Sequence, residues 1–315
     1  MSLSFLRTLA AASLMLFGSF EVSVSADRQT CRTIRLSDPG WVDVAVTNAL
    51  ASVLLNGLGY TVEISTQSLP VGYEMLKSGK VDVFLGNWMP AQRRFVDGLT
   101  RDGAVEVLTR NLVGAKLTLA VPDYVAKMGV KDFADLQEHA DAFDRKIYGI
   151  DVGAAVNENI EEMIGAGRFG LGDWEVIASS EQGMLSQVER AERKERAIVF
   201  IGWAPHPMNE RFNMTYLSGG DAFFGERSGG AEVFTLARSG WTEMCPNAAA
   251  FFRKLVFDVG MENVLMGKIL DGEEATSAAS SWLKRNPAIV ESWLDGITTL
   301  NGASGVHAVK TVLAQ

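Results

Sequence analysis

The chain has 315 residues, 47% hydrophobic and 21% charged, with 31 Gly and 8 Pro. That composition excludes long disordered tracts, and the length allows about two domains of ~100–200 residues each. A net charge of −9 with no Lys/Arg block excludes the phosphate neutralisation on which nucleic-acid binding depends. With three His, two Cys and no CxxC or HExxH spacing, neither a metal nor a cofactor is expected.

Residues 1–26 read as a secretory signal peptide. Arg7 gives the positive start, Leu9 to Phe20 is apolar but too short to span a bilayer, and Val24-Ser25-Ala26 is a small-residue cleavage site before Asp27. Its removal takes away one base (Arg7) and one acid (Glu21), so the mature charge stays at −9. No lipobox precedes Cys31. A soluble, periplasmic protein is expected. In that oxidising compartment Cys31 and Cys245 read as one disulfide, the alternative being two buried thiols. The bridge would lay the chain's beginning against its last third.

Thr33 to Leu36 reads as a strand, and Val42 to Leu55 as a helix stopped by Gly57 and Gly59. Tyr60 to Ser65 alternates as a strand, Tyr73 to Lys77 belongs to a short helix, and Val81 to Leu85 is a buried strand. This β-α-β-α-β order predicts a parallel sheet covered by helices. A second α/β unit follows. Its strands are Leu117 to Val121, Ile147 to Ile150, Trp174 to Ile177 and Ala197 to Ile201. Its helices start near Phe133, after Gly153 and at Ser179, a candidate N-cap. Ala231 to Ala237 is a further strand, and the tail from Cys245 is mostly helical. If the disulfide forms, the tail joins the first unit. The expected architecture is α/β with a discontinuous first lobe, 27–115 and 217–315, and a second lobe, 116–216. Two crossovers near 115 and 216 make it a hinge-closing solute binder.

Three Trp share one kind of position. Trp41 follows Gly40 at a helix start, Trp88 follows Gly86-Asn87 after a strand, and Trp203 follows Gly202 after a strand. Ligands of open α/β sheets lie beyond the carboxyl ends of strands. Two of these rings come from the first lobe and one from the second, so closure would gather them around one volume. Indole faces attract a desolvated cation at about 0.5–2 kcal/mol each. A quaternary ammonium suits them best, since it has no N–H groups to satisfy. Asp43, in Gly-Trp-Val-Asp-Val, can balance the cation or accept a hydroxyl hydrogen bond; an Asp in a helix's first turn is also favoured by the dipole alone. Trp174, Trp241, Trp282 and Trp293 are expected to pack structurally.

Five segments carry a resemblance over essentially the whole mature chain. They are Gly40-Trp41-Val42-Asp43-Val44, Val81-Asp82-Val83-Phe84-Leu85-Gly86-Asn87-Trp88-Met89-Pro90, Leu117-Thr118-Leu119-Ala120-Val121-Pro122, Ser179-Ser180-Glu181-Gln182-Gly183-Met184-Leu185 and Gly202-Trp203-Ala204-Pro205-His206-Pro207-Met208-Asn209. In these the sequence resembles the periplasmic choline-binding proteins of ABC importers, within the glycine betaine/choline/proline solute-binding family. The resemblance implies a type II periplasmic-binding-protein fold and a trimethylammonium cage on Trp41, Trp88 and Trp203. It also implies a cleft acid at Asp43, a Cys31–Cys245 disulfide, and delivery to an inner-membrane ABC permease by a monomer. Two positions depart from the family: Leu117 stands where a Tyr supplies a fourth wall, and Ala154 where an Asn holds the choline hydroxyl. Asn157 is the nearest candidate to replace that Asn.

Choline is therefore the expected ligand, with glycine betaine, carnitine and trimethylamine N-oxide as alternatives. Asp43 favours a ligand without a carboxylate, because two anions in one dry cleft repel. An exported enzyme is the competing class. His206 with Cys31 or a Ser would be its base and nucleophile, but no G-x-S-x-G elbow exists and Cys31 is better used in a disulfide. His206, between two prolines, is expected to order the loop after Trp203. A binder serving a chemosensor is the third reading.

Overall fold

The computed structural model describes residues 27–315, so the leader expected at 1–26 lies outside the described residues. Nine strands form one mixed sheet: β1 (Thr33–Asp38), β2 (Thr61–Thr66), β3 (Val83–Met89), β4 (Val105–Pro122), β5 (Lys146–Tyr148), β6 (Glu175–Ile177), β7 (Val199–Ala204), β8 (Met214–Tyr216) and β9 (Gly230–Arg238). Their order is β2-β1-β3-β9-β4-β7-β5-β6, with β8 paired to β4. β1, β2 and β3 are mutually parallel, as are β5, β6 and β7. The antiparallel β9 and β4 stand between these two groups.

The parallel groups follow from the apolar runs. From Val83 to Trp88 every residue of β3 is buried, as expected of a strand covered on both faces. Val42–Gly57 forms helix α1, which packs on the sheet and on tail helices Val259–Leu270 and Ala275–Arg285. That double contact explains why Leu50, Ala51, Leu54 and Leu55 are all fully buried although they spread around the helix.

β4 differs most from the sequence reading. Leu117 was expected to open a new strand, but it lies inside one 18-residue strand. Residues up to Lys116 pair with β9, and from Lys116 to Ala120 the partner is β7. The expected crossover near 115 is thus a change of partner within a continuous strand. Its first half, Val105 to Val113, mixes exposed and buried positions, which hid it from an apolar-run reading. Helices Arg93–Arg101 and Gly305–Leu313 were likewise not expected. The N-cap of helix Glu181–Glu192 is Ser180 rather than Ser179. Its hydroxyl accepts from Gly183 N–H at 3.1 Å, while the Ser179 hydroxyl donates to the Ser180 carbonyl.

The chain's start is tied to its last third, as the cysteine count implied. Cys31 and Cys245 are disulfide-bonded, with Cα atoms 5.7 Å apart and a sequence separation of 214. A loop of that length contributes about 5 kcal/mol in the chain-entropy model. Beside the bridge, the buried Asp27 carboxylate accepts from the Asn247 and Ala248 N–H groups and from the Tyr60 hydroxyl. It thereby caps helix Pro246–Lys254 from the far end of the chain. A second tie joins β1, β3 and β9. Asp82, 2% exposed, takes two bonds from the Arg35 guanidinium (2.8 and 2.9 Å) and one from Arg238 (2.7 Å).

Candidate functional site

Four loops meet where the two parallel groups face each other across β4 and β9. Gly40, at φ +89°, lets the chain turn sharply from β1 into α1, which sets Trp41 at the N-cap of α1. Gly86 lies where the ladder between β3 and β9 shifts register. A Cβ there would sit 2.6 Å from Val44 Cγ2, so glycine alone lets the end of β3 approach α1. Trp88 is thereby brought against Asp43 on α1, and its indole N–H donates to Asp43 Oδ2 at 2.9 Å. Below Trp88, Gln92 donates to the Gly86 carbonyl at 2.9 Å and accepts from the Tyr73 hydroxyl at 2.6 Å. These bonds fix the end of β3, which carries the ring and which the sequence reading had ended before Trp88.

On the other side, Trp203 of β7 is directly opposite Leu117 of β4 in the antiparallel ladder. Residues so paired project from the same face of the sheet. Trp203 meets the His206 ring edge-on at 4.7 Å. His206 Nδ1 accepts from Met208 N–H at 2.9 Å, which puts the ring proton on Nε2 facing Glu181 at 3.2 Å. As expected, His206 orders the loop after Trp203.

Trp41, Asp43, Trp88, Leu117, Ala154 and Trp203 line a single small cavity. The three indoles are 9%, 5% and 6% exposed, so the rings are closed in. Asn157 does not line it. Its amide is spent on the loop before it, accepting from Ile150 N–H and donating to the carbonyls of Ile150 and Asp151. It therefore cannot supply the amide that Ala154 lacks. Ala154, at the N-cap of helix Ala155–Gly165, offers only a methyl group. The remaining wall was not legible as a site: Ala91, Gln92, Ile150, Ala155, Val156 and Glu181. Only Glu181 carried a usable signal, an acid in the first turn of a helix within a matched segment.

The four other tryptophans pack structurally. Trp282 stacks on Trp293 at 6.2 Å, Trp241 packs on Phe252, and Trp174 packs on Phe143 while donating to Gln137.

The electrostatics of the cavity are one-sided. Its lining contains Asp43 and Glu181 and no Lys or Arg. Burial pushes the Asp43 carboxyl up to about 7. The Trp88 hydrogen bond opposes that shift, and the Glu181 charge adds to it. Behind Asp43, the buried Glu262 is raised as well, first by burial and then by Asp43 and Asp258. These acids have no cationic side chain in the lining, and a bound cation would favour the ionised form of Asp43.

The comparisons with known proteins give the chain's family. The family model described as the substrate-binding domain of an ABC-type glycine betaine transport system matches residues 32–285. An ABC-transporter choline-binding protein solved with choline is 48% identical and superposes with a TM-score of 0.90, over 91% of this chain and 100% of that one. The same kind of protein in an unliganded, semi-closed conformation superposes at 0.84. The glycine betaine/carnitine transport binding protein GbuC of Listeria monocytogenes is 28% identical over 156 residues. That match spans 50% of this chain and about half (51%) of GbuC. The type II periplasmic-binding fold expected from the sequence is the fold of these neighbours.

The raised Asp43 value gives a signed pH dependence. A carboxyl bound more tightly to its proton in the folded state stabilises that state fully at low pH. The contribution declines above the unfolded value of ~3.9 and is gone once pH passes about 7. Asp43→Asn keeps an acceptor for Trp88 and removes the charge. The ligand-free variant should melt above wild type at about pH 8, and the gap should close towards about pH 4. A gap that does not change with pH would refute the assignment to Asp43.

Proposed function

Because the chain belongs to the family of substrate-binding domains of ABC-type glycine betaine transport systems, we propose that Trp41, Trp88 and Trp203 hold a trimethylammonium group, that of choline first of all. The chain is a binding component of transport, not an enzyme. What carries the proposal is that three indoles and the Asp43 carboxylate, from separate parts of the sequence, line one apolar cavity. A cation on those faces gains about 0.5–2 kcal/mol per ring and gives the buried acid the counter-charge it lacks.

The domain division fits this role. Residues 27–115 with 217–315 make one lobe and 116–216 the other, and β4 and β9 link them. Closure would bring Trp203 and Leu117 of the second lobe onto Trp41 and Trp88 of the first. The loaded monomer would then be read by an ABC permease at the inner membrane, after a leader at 1–26 has directed the chain to the periplasm. Among the described residues no helix is long and apolar enough to cross a membrane. Glycine betaine, carnitine and trimethylamine N-oxide share the cation but bring an anionic oxygen into a cavity already holding two carboxylates. Choline brings only a hydroxyl that can donate. With Ala154 and Leu117 at the family's Asn and Tyr positions, Asp43 and Glu181 are the only carboxylate acceptors in the lining.

Calorimetry against the four ligands tests the reading. Trp41→Ala, Trp88→Ala and Trp203→Ala should each weaken choline by more than ~1 kcal/mol, and pairs should lose less than the sum because one headgroup touches all three rings. Three additive losses would mean three separate contacts rather than a cage.

Leu117→Tyr restores an aromatic wall beside Trp203. It should tighten choline by ~0.5–2 kcal/mol, the range of one cation–π face. No change for any trimethylammonium ligand would show that this wall does not touch the headgroup.

A further inference from the structure

The Glu181 carboxylate lies in the cavity wall, is 1% exposed, and is bonded from both sides of the cleft. Oε1 accepts from Nε2 of His206, which follows β7, at 3.2 Å. Oε2 accepts from the Val42 N–H at the start of α1, at 3.3 Å. α1 has no side-chain cap of its own, because its N-cap residue is Trp41. Glu181, 139 residues away in sequence, supplies the anion that this helix end favours. Since His206 Nδ1 accepts from Met208, the imidazole donates one N–H to Glu181 without bringing a positive charge.

Two side-chain donors of the lining are already used. Trp88 N–H is on Asp43 and the Gln92 amide is on the Gly86 carbonyl. The Trp41 N–H makes no formed hydrogen bond but faces the Asp151 carboxylate, whose raised value it pulls down. Two further donors behind this wall, His206 Nε2–H and Val42 N–H, are both occupied by Glu181.

We propose that Glu181 is the specificity-determining residue that rejects quaternary ammonium ligands bearing a carboxylate. It does so by repelling the anion and by occupying two donors, His206 Nε2–H and Val42 N–H, that its removal would free. This rests on the proposed trimethylammonium site. It goes further in assigning the discrimination to a residue that holds none of the three cage rings by a hydrogen bond. Asp43, by contrast, is bonded to Trp88, so its removal would disturb the cage as well as the charge.

The test compares choline and glycine betaine on the same variants, with betaine read by competition where its own heat is too small. Both ligands share the headgroup, so any loss of cation binding cancels in the ratio of their Kd values. Glu181→Gln replaces one acceptor oxygen with a donor, and Glu181→Ala leaves His206 Nε2–H and Val42 N–H unpaired. Either change should lower the betaine-to-choline Kd ratio at least tenfold relative to wild type. A ratio within twofold of wild type in both variants overturns the proposal, as does loss of all choline binding by both folded variants. Should Glu181→Ala fail to fold, the isosteric Glu181→Gln decides. Wild-type protein that binds neither ligand would instead overturn the trimethylammonium reading and this inference with it.

Discussion

A carboxylate enclosed by indole rings and aliphatic side chains has lost most of its hydration and gained little in exchange. Asp43 has one hydrogen bond, from Trp88, with Glu181 in the same wall and Glu262 behind it. With no cation present, protonation is the cheapest relief, and its raised value says so. With a cation in the cage, the same group becomes its counter-ion in a medium of low dielectric, where the attraction is far stronger than in water. The empty closed cleft is thus made costly by the group that makes the filled one stable. A binder that must close on cargo and reopen without it needs that asymmetry.

The fold serves this constraint by delivering short loops to one place. β3 and β7 each carry a Trp as their next-to-last residue, and the strands between them, β9 and β4, keep the two parallel groups in one sheet. The continuity of β4 matters here. Leu117 and Trp203 are placed by ladder register rather than by loop conformation, so that wall is stiff. Trp88 is fixed differently, by the Gly86 approach and the Gln92–Tyr73 bonds. The disulfide and the Asp27 cap lie at the chain's start and on the tail helices, away from the residues of the cavity.

Much of this was legible in the residues. Gly before Trp at three element boundaries, two of them strand ends, pointed to the cage positions because turn chemistry and sheet topology are local and regular. The β1–α1–β2 order followed from apolar periodicity for the same reason. What escaped depends on distant partners. Asn157 looked like a polar group free for a ligand, but its amide is bonded to Ile150 and Asp151, seven and six residues earlier. Glu181 looked like an ordinary first-turn acid, and its bonds to Val42 and His206 exist only once segments far apart in sequence have met. The first half of β4 was missed because its partner β9 is more than a hundred residues later, and its own pattern is too mixed to announce a strand.

The central claim is that the cavity recognises positive charge rather than shape. Choline and its neutral isostere, in which carbon replaces the nitrogen, have nearly the same volume and the same hydroxyl. Their affinities for the purified mature protein, measured by calorimetry in one buffer at about pH 8, where Asp43 is ionised, separate the two possibilities. The account predicts that choline binds at least a hundredfold more tightly, on the order of three cation–π faces at ~1 kcal/mol each plus the Asp43 charge. An isostere that binds within a few-fold of choline would contradict it and leave a hydrophobic pocket.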